Sequence, residues 1–248
     1  MARIAKARLD HELVQRAIYS SREQAQRAIM AGEVRVNDHV VDKASTLVSP
    51  DAAITSTAPP RFVSRGGIKL DGALDHFQIN VQDQVAVDLG ASTGGFTDCL
   101  LQRGAAKVYA IDVGHGQLAW KIRCDPRVVV FEKINARTLP RGLVPEVAAL
   151  CVIDVSFISL TLVLPNAFEL LTASGTVLAL IKPQFELERA DVARGGVVRD
   201  PVKQAKAVSK IFAFITAGGH DVVGTVPSVI TGTDGNQESF ICVRKRSA

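Results

Sequence analysis

The side chains of this 248-residue chain that could do chemistry are charged groups at the ends of apolar runs. Asp88, Asp112 and Asp154 each close a short run rich in apolar, often β-branched residues, and Lys182 closes another. A charge at the end of a buried strand is costly unless it is paired, so Asp154 and Lys182 are predicted to pair across neighbouring strands. Carboxylates and lysines in such positions can hold hydroxyl groups and move protons.

The residues around Asp88 predict a strand, a tight turn and a helix. An apolar run, Val85–Leu89, is followed by glycines and small residues, and an amphipathic run begins at Phe96. Turns of this kind cradle nucleotides, although a strand–helix turn without a ligand is the alternative. The candidate ligand-binding residues of this motif are Asp88, Gly90, Ser92, Thr93, Gly94, Gly95 and Phe96.

Two nucleotide classes are disfavoured by the spacing of this turn. A phosphate-binding P-loop needs a lysine where Phe96 stands, and a dinucleotide fingerprint needs a glycine where Ser92 stands. An acidic residue followed by G-x-x-x-G-G fits a ligand with a cationic or hydroxyl-bearing part and no phosphate. S-adenosylmethionine is such a ligand.

Three segments after the turn support a nucleoside ligand. Asp112 follows Asp88 by about the spacing at which a carboxylate accepts hydrogen bonds from a ribose diol. Val113 and Gly114 begin a flexible loop able to pass an adenine edge, and Asn135 could hold the base amide. Each residue alone could be a turn former or a cap, but together they favour a nucleoside.

Two further charged residues lie beside glycine-containing segments. Lys69 follows Ser-Arg-Gly-Gly and starts a run to Phe77 that is predicted to be helical. Glu238 precedes the last strand and follows a glycine-containing loop whose flexibility suits the rim of a site. Lys69 could also be only a surface charge, but the two glycines allow close approach of the backbone to a ligand.

The elements that must position these residues alternate between strands and helices. Six more strands are predicted, and helical runs separate most of them, which indicates a mostly parallel sheet with helices on both faces. In such α/β sheets, ligands bind at the carboxyl ends of the strands near the switch in strand order. The predicted strands are 107–112, 127–132, 149–154, 176–182, 221–226 and 239–244.

The first sixty residues predict a smaller α/β unit. Two short helices precede a hairpin that turns near Asn37 and Asp38. The order R-L-D, S-R-x-x-A and I-x-x-G-x-V-x-V-N resembles the S4 RNA-binding fold. This resemblance implies that basic residues contact RNA phosphates, although such charges could simply be solvated. They are Arg3, Lys6, Arg8, Arg16, Arg22 and Arg27, with Arg65 as a further RNA-binding candidate near the domain boundary.

The composition and the positions of the prolines give the domain boundaries and the expectations for partners, metals and membrane spans. Residues 1–58 are assigned to the small domain, 59–65 to a linker and 66–248 to the large domain, because periodicity is lost before the two prolines at 59 and 60. The net charge of +4 leans mildly towards a polyanionic partner. The four cysteines and five histidines show no metal-ligand spacing, so free thiols in a reducing cytoplasm and no metal are expected. No segment predicts a membrane span.

The motifs together resemble one family over essentially the whole chain. V-S-R-G-G-x-K-L, D-x-G-A-S-T-G-G-F, G-x-G-Q-L-A-W, D-x-S-F-I-S-L, K-P-Q-F-E, G-G-V-V-R-D and G-N-x-E resemble the TlyA-type (haemolysin A-like) ribosomal-RNA 2′-O-methyltransferases. That family combines an S4 domain with an FtsJ/RrmJ-like, Rossmann-like class I methyltransferase domain. The expected partners are ribosomal RNA or ribosomal subunits, and the expected substrate is a cytidine ribose in 16S or 23S rRNA.

The resemblance also implies roles for individual residues. It gives a catalytic tetrad of Lys69, Asp154, Lys182 and Glu238, and a binding site for S-adenosylmethionine that includes Asp154. We expect Lys182 to be the base, with Asp154 positioning it and Lys69 and Glu238 orienting the ribose. A lysine can take the hydroxyl proton only when neutral, which desolvation and neighbouring cations favour. His115 stands where the family often has an aromatic residue, and we expect it to tune the cofactor loop.

Three other functions remain as alternatives. An RNA-binding assembly factor could hold the cofactor without turnover, but it would not need two lysines and two carboxylates at strand ends. A membrane-active haemolysin would need a spanning segment or a basic amphipathic helix, and neither pattern is found in the sequence. An NAD-dependent oxidoreductase would need the absent G-x-G-x-x-G.

Overall fold

The structure, a computed structural model, describes residues 6–16, 18–19, 21–57 and 61–246. These residues form two compact units that divide between Arg61 and Phe62. Phe62 is buried and the Val63 amide donates a hydrogen bond to Asp98. The large unit therefore begins at Phe62, before its first helix. The predicted linker, 59–65, therefore shares residues 62–65 with the large unit, and its residues 59 and 60 lie outside the described ranges.

The small unit contains two helices and five short strands among its described residues. Apolar residues of both helices, including Leu9, Leu13 and Ile29, form its core with Val34 and Val48. Asn37 and Asp38 both have positive φ, which confirms the predicted hairpin turn. The helices are α1 (Leu9–Gln15) and α2 (Arg22–Met30), and the strands are β1 (Ala7–Arg8), β2 (Val34–Val36), β3 (His39–Val40), β4 (Leu47–Val48) and β5 (Ile54–Ser56).

The large unit is built on a seven-stranded sheet with the order β11-β12-β10-β9-β6-β7-β8. All its strand pairs are parallel except those of β12, which runs antiparallel between β10 and β11. The strands are β6 (Val85–Leu89), β7 (Lys107–Ile111), β8 (Val128–Phe131), β9 (Ala148–Ile153), β10 (Leu171–Ile181), β11 (Asp221–Pro227) and β12 (Ser239–Arg244). Each predicted strand is confirmed, and β10 begins five residues earlier than predicted.

Helices cover both faces of this sheet, as the sequence predicts. Alternate residues of the strands enter two separate cores, so that Ala86 packs against one helical layer and Val87 against the other. The helices are α3 (Arg65–His76), α4 (Gly95–Gln102), α5 (Trp120–Arg123), α6 (Leu164–Glu169), α7 (Pro183–Glu186) and α8 (Pro201–Ala217), with short 3₁₀ helices at Leu160–Leu162 and Arg189–Asp191.

The helix that carries Lys69 differs from its prediction. The run from Leu70 to Phe77 was expected to be helical, but α3 begins at Arg65 and includes Gly66 and Gly67. A side chain at Gly67 would lie 2.3 Å from the Phe62 ring, so the glycine permits Phe62 to pack on the first turn. Lys69 therefore lies inside a fixed helix and not at its flexible start.

The strand order reverses between β6 and β9. The chain goes outward from β6 to β7 and β8, and then returns to place β9 on the other side of β6. Loops that follow the two central strands diverge at this point and leave a crevice at their carboxyl ends. The register aligns Leu89 with both Ile111 and Ile153, so Gly90, Asp112 and Asp154 leave the sheet at one level.

Candidate active site

A cavity of about 360 Å³ lies at this crevice, within the large unit. It is lined by the glycine-rich turn after β6, the first turn of α3, the end of β9, Lys182 and the loop before β12. The four predicted tetrad residues, Lys69, Asp154, Lys182 and Glu238, all line it. Of the predicted cofactor residues, Gly90, Ser92, Thr93, Gly95 and Phe96 line it as well.

Lys69 and Glu238 form a buried ion pair on one side of the cavity. The Lys69 Nζ lies 2.5 Å from the Glu238 Oε2, and the two side chains are only 10% and 3% exposed. The lysine comes from α3 and the glutamate from the residue before β12, which are 169 residues apart in the chain. Folding thus fixes a cation and an anion that no local pattern would pair.

Lys182 and Asp154 form a second pair that lines the same cavity. The Lys182 Nζ lies 2.6 Å from Asp154 Oδ1 and donates a hydrogen bond of 2.9 Å to the Ser156 hydroxyl. Asp154 Oδ1 has no hydrogen-bond partner among the described residues. Its contact with Lys182 is therefore an ion pair without hydrogen-bond geometry. The adjacency of β9 and β10 that the sequence predicts for these two residues is confirmed.

Asp88, in β6, is fully buried and is not among the residues that line the cavity. Its Oδ2 accepts a hydrogen bond of 2.7 Å from the Thr97 hydroxyl, whereas its Oδ1 has no partner among the described residues. Burial raises the pKa of the Asp88 carboxyl to about 7, against the Thr97 hydrogen bond and with a further contribution from the charge of Asp154. A buried and partly unsatisfied carboxylate is typical of functional sites.

The backbone of the turn approaches its neighbours too closely for any residue but glycine at two positions. Gly90 has a φ of 90°, and a Cβ there would lie 2.4 Å from the carbonyl oxygen of Asp154. A Cβ at Gly95 would lie 2.1 Å from the Ser64 hydroxyl. These contacts join the turn to β9 and to α3, so the cradle and both lysines are held in one framework.

Asp112 organises the loop beside this turn. Its Oδ2 accepts a hydrogen bond of 2.8 Å from the Ser92 amide, and its Oδ1 accepts one of 2.6 Å from the Gly114 amide. Each carboxylate oxygen keeps a second lone pair for a ligand hydroxyl. A small hollow that shares Ser92 with the main cavity is lined by Asp112, Gly114 and Glu132 among others. The ribose-binding role of Asp112 stays a prediction.

The outer predicted cofactor residues lie away from both hollows. Val113 is 71% exposed. Asn135 is exposed, and its Oδ1 accepts a hydrogen bond from the Arg137 amide, as a turn former does. His115 lies 2.8 Å from Glu132, which also accepts hydrogen bonds from the Gly116 amide and from Arg123. Glu132 therefore holds the loop around His115, a role that the sequence did not predict.

Two other polar residues were missed because their partners are distant in the chain. Glu186 is 4% exposed and accepts hydrogen bonds from the Ser159 hydroxyl and the Leu160 amide, at 2.6 and 2.7 Å. It thereby ties the helix after Lys182 to the loop after Asp154. Asn236, 1% exposed, binds the segment around Val198 in a similar way. The sequence signal was their place in the motifs K-P-Q-F-E and G-N-x-E.

An exposed aromatic ring lies in the loop that follows Asp154. Phe157 is 91% exposed and has a φ of 64°, which is rare for a large side chain. Its ring lies 5.1 Å from that of Phe185, next to Lys182 along the chain. The adjoining residue, Ser156, is the hydroxyl partner of Lys182. A flat apolar surface is therefore displayed beside the second lysine pair.

In the small unit, the predicted RNA contacts surround a buried carboxylate. Asp10 has no exposed side-chain surface and accepts hydrogen bonds from Arg8, Arg22 and Gln26. Arg8 and Arg22 remain 44% and 48% exposed, so their guanidinium groups also face solvent. Arg16 instead binds the Ala52 and Pro50 carbonyls. Lys6 and Arg27 are exposed, and Arg3 lies outside the described residues.

Within the described residues, two kinds of feature are absent. No cluster of three or more His, Cys, Asp or Glu side chains is arranged to hold a metal ion. No described helix is both long and apolar enough to cross a membrane. Three of the cysteines, Cys99, Cys151 and Cys242, are buried, and Cys124 is exposed.

This sheet order, with one antiparallel strand inserted beside the last parallel one, and a glycine cradle at the switch point define a Rossmann-like methyltransferase class. Comparison with protein families agrees, since residues 62–245 match the FtsJ-like methyltransferase family and residues 7–54 match the S4 domain. The chain belongs to the FtsJ-like methyltransferases, in the TlyA-type group that carries an S4 domain. The fold and the family imply an S-adenosylmethionine-dependent enzyme.

Relatives match nearly the whole chain. It is 45% identical over 248 residues to the 16S/23S rRNA (cytidine-2′-O)-methyltransferase TlyA of Mycobacterium tuberculosis, covering 98% of this chain and 91% of that protein. It is 41% identical to Hemolysin A of Brachyspira hyodysenteriae, covering 93% and 97%. A solved structure from Streptococcus thermophilus, 39% identical, superposes with a TM-score of 0.74 over 99% of this chain and 90% of that one.

Proposed function

We propose that the chain transfers a methyl group from S-adenosylmethionine to the 2′-hydroxyl of a cytidine in ribosomal RNA. The observation that carries this proposal is the pair of lysine–carboxylate contacts, Lys69–Glu238 and Lys182–Asp154, on the walls of one cavity next to a glycine cradle. A protein that only binds RNA has no use for this arrangement. The choice of cytidine and of 16S or 23S rRNA follows from the name of the Mycobacterium relative.

The cradle supports binding of the methyl donor. The backbone of Gly90, Ser92 and Gly95 forms one wall of the main cavity, and Asp112 offers two free lone pairs beside it. The lone buried oxygen of Asp88 lies beneath the same turn. S-adenosylmethionine supplies an activated methyl group when bound, so the protein must chiefly orient the acceptor and remove its proton.

Lys182 is the proposed base for the 2′-hydroxyl proton. Its Nζ faces the cavity at the end of β10, and its contacts with Asp154 and Ser156 fix its position without enclosing it fully. Neutral lysine has one lone pair, with which it accepts the proton while the oxygen attacks. Asp154 then stabilises the ammonium that results, over a separation of 2.6 Å.

Lys69 and Glu238 are proposed to orient the ribose. Their pair is more buried than the Lys182–Asp154 pair, which favours a fixed hydrogen-bonding role over proton exchange with solvent. The lysine can donate to a ribose oxygen and the glutamate can accept from a ribose hydroxyl. Positioning of this kind is where most of the rate of an in-line displacement arises.

The RNA side of the site is supported by groups around the cavity. Arg65, at the rim, donates a hydrogen bond to the Thr231 carbonyl and remains exposed to a phosphate. Phe157 offers a face on which a nucleobase can stack. In the S4 unit, Arg8 and Arg22 bind Asp10 and remain partly exposed, so they are separate candidates for RNA contacts.

The decisive experiment is transfer of tritiated methyl groups from S-adenosylmethionine to isolated 30S and 50S subunits. Lys182→Ala and Lys69→Ala should each lower turnover by about 10²-fold or more, since each removes a proton-transfer or orienting group. Lys107→Ala is the matched control, because Lys107 pairs with Glu146 on the surface at the opposite end of the sheet.

The outcomes separate the functions. Label in RNA that disappears with Lys182→Ala, while S-adenosylhomocysteine still binds, supports the proposal. Wild-type turnover by Lys182→Ala with normal cofactor binding would show that Lys182 is not the base. Cofactor binding without label on either subunit would favour an assembly factor that binds RNA without modifying it.

A further inference from the structure

One motif of the sequence has no part in the site described so far. G-G-V-V-R-D occupies residues 195–200, in the loop between the 3₁₀ helix Arg189–Asp191 and α8. Gly195 and Gly196 both have positive φ, at 97° and 78°, so the loop makes a turn there that side chains with a Cβ rarely adopt. The hydrogen bonds of the loop hold this turn in place.

The loop is hydrogen-bonded to Asn236, which lies two residues before Glu238 in the chain. The Asn236 Oδ1 accepts a hydrogen bond of 2.8 Å from the Val198 amide, and its Nδ2 donates one of 2.9 Å to the Gly196 carbonyl. Asn236 is buried, and it precedes Glu238 by two residues, so their Cα atoms are at most about 7 Å apart. The loop is therefore bonded to the segment that carries Glu238, a residue that lines the cavity.

The other anchors of the loop come from α8. Gln204 donates a hydrogen bond of 2.8 Å to the Val198 carbonyl, and Lys203 donates one of 2.9 Å to the Asp191 carbonyl. The carboxylate of Asp191 pairs with both Lys203 and Lys206. Because these lysines already neutralise Asp191, that acid is not available to the arginines of the loop.

Three arginines project from this anchored loop. Arg189, Arg194 and Arg199 are exposed, and none of them has an acidic partner or a side-chain hydrogen bond among the described residues. By contrast, Arg103, Arg123 and Arg127 in the same unit all pair with carboxylates. A fixed backbone with unpaired guanidinium groups is suited to the phosphates of a nucleic acid, which arginine binds with two parallel hydrogen bonds.

We propose that the loop 189–200 is a second RNA-binding surface, which grips the phosphodiester backbone beside the target nucleotide. This inference rests on the proposed function for its partner, and it assigns to the large unit a contact that is separate from the S4 unit. Asn236 joins this surface to Glu238, so that backbone capture and orientation of the ribose depend on one rigid segment.

The test is the salt dependence of RNA binding by Arg194→Gln/Arg199→Gln. Each lost phosphate contact should reduce the slope of log K against log salt by about 0.7 to 0.9, so the double variant should lose between one and two. In methylation assays its KM for the ribosomal subunit should rise about tenfold or more, with kcat and the affinity for S-adenosylhomocysteine unchanged.

The matched control is Arg244→Gln/Arg246→Gln, which removes the same charge from the opposite end of β12. Equal salt slopes for the two double variants would overturn the proposal, because net charge alone would then explain the effect. Loss of binding to assembled subunits but not to protein-free rRNA would also overturn it, since the loop would then contact ribosomal protein. If the wild type binds rRNA but methylates none, the proposed function fails while the slopes still test this surface.

Discussion

Asp88 is a carboxyl group that folding buries without full compensation. Only one of its oxygens has a hydrogen-bond partner among the described residues, and burial raises its pKa to about 7. In an unfolded chain the value is near 4. Between these values the folded state binds more protons than the unfolded state, so the free energy of unfolding falls as the pH rises from about 4 to 7.

Asp88→Asn should remove this dependence. The amide oxygen can still accept the Thr97 hydroxyl, and no charge is buried at high pH. We expect the melting temperature of the variant, relative to wild type without cofactor, to increase from pH 5 to about pH 7 and to level off above it. The corresponding free energy is at most about 4 kcal/mol, from a difference of roughly three pH units at 1.36 kcal/mol each.

Thermal unfolding monitored by circular dichroism at several pH values checks this prediction. Asp83→Asn is the control, because Asp83 is exposed in a turn before β6. A difference between Asp88→Asn and wild type that is the same at pH 5 and pH 8 would mean that Asp88 is ionised throughout this range.

At the level of elements, the strands and the pairing of adjacent strand ends were predictable, whereas the contact between α3 and the residue before β12 was not. Strands buried on both faces are nearly continuous apolar runs, so β6, β7 and β9 could be recognised from sequence alone. Pairing of Asp154 with Lys182 also followed, because the ends of adjacent parallel strands meet. Lys69 and Glu238 are 169 residues apart, however, and no local pattern encodes their contact.

Polar residues that bind the backbone locally give a sequence signal with two interpretations. Asn135 was proposed to hold the adenine base, yet its side chain binds the Arg137 amide two residues later. Asn and Asp often satisfy the backbone of their own turn, and this contact leaves the same sequence signal as a ligand contact. Its role in cofactor binding stays a prediction.

Glu186 connects the helix after Lys182 with the loop after Asp154. It stands at the end of α7, just after Lys182, and binds the segment that follows Asp154 through Ser159 and Leu160. A glutamine in its place can accept through only one oxygen, so one of these bonds is lost. We expect Glu186→Gln to lower kcat about tenfold, equivalent to one hydrogen bond to a charged group, with little change in cofactor affinity.

Lys107→Ala is the comparison for this variant. Lys107 pairs with Glu146, both side chains are about 40% exposed, and a surface ion pair of this kind contributes little. Its kcat should stay within about twofold of wild type. A purely structural role for Glu186 would instead lower the melting temperature and the affinity for S-adenosylhomocysteine along with kcat.

At the scale of the whole molecule, the proposed RNA contacts are divided between the two units, whereas the proposed catalytic groups belong to the large unit alone. The large unit contains both lysine pairs and the cradle, and the small unit contains the cluster around Asp10. The net charge of +4 is too small to hold RNA by itself. Affinity must therefore come from a few fixed cations, and their arrangement matters more than their number.

Asp10→Asn tests that arrangement in the small unit. Hydrogen bonds, chiefly from Arg8 and also from Gln26 and Arg22, keep the pKa of Asp10 well below its usual range against the effect of burial. The carboxylate is thus charged at every working pH and holds two guanidinium groups at about 3.0 Å. An amide in place of this carboxylate should release both guanidinium groups. RNA binding should then weaken about tenfold, because two arginines that contact phosphates would first have to be ordered.

The expected result is a rise in the KM for ribosomal subunits while kcat and the affinity for S-adenosylhomocysteine stay at the wild-type values. Asp38→Asn is the control, because Asp38 is exposed in the β2–β3 turn and asparagine tolerates its positive φ. A loss of cofactor affinity in Asp10→Asn would show that the small unit acts on the catalytic site and not only on RNA. Unchanged subunit affinity would mean that the arginines around Asp10 serve the fold of the S4 unit alone.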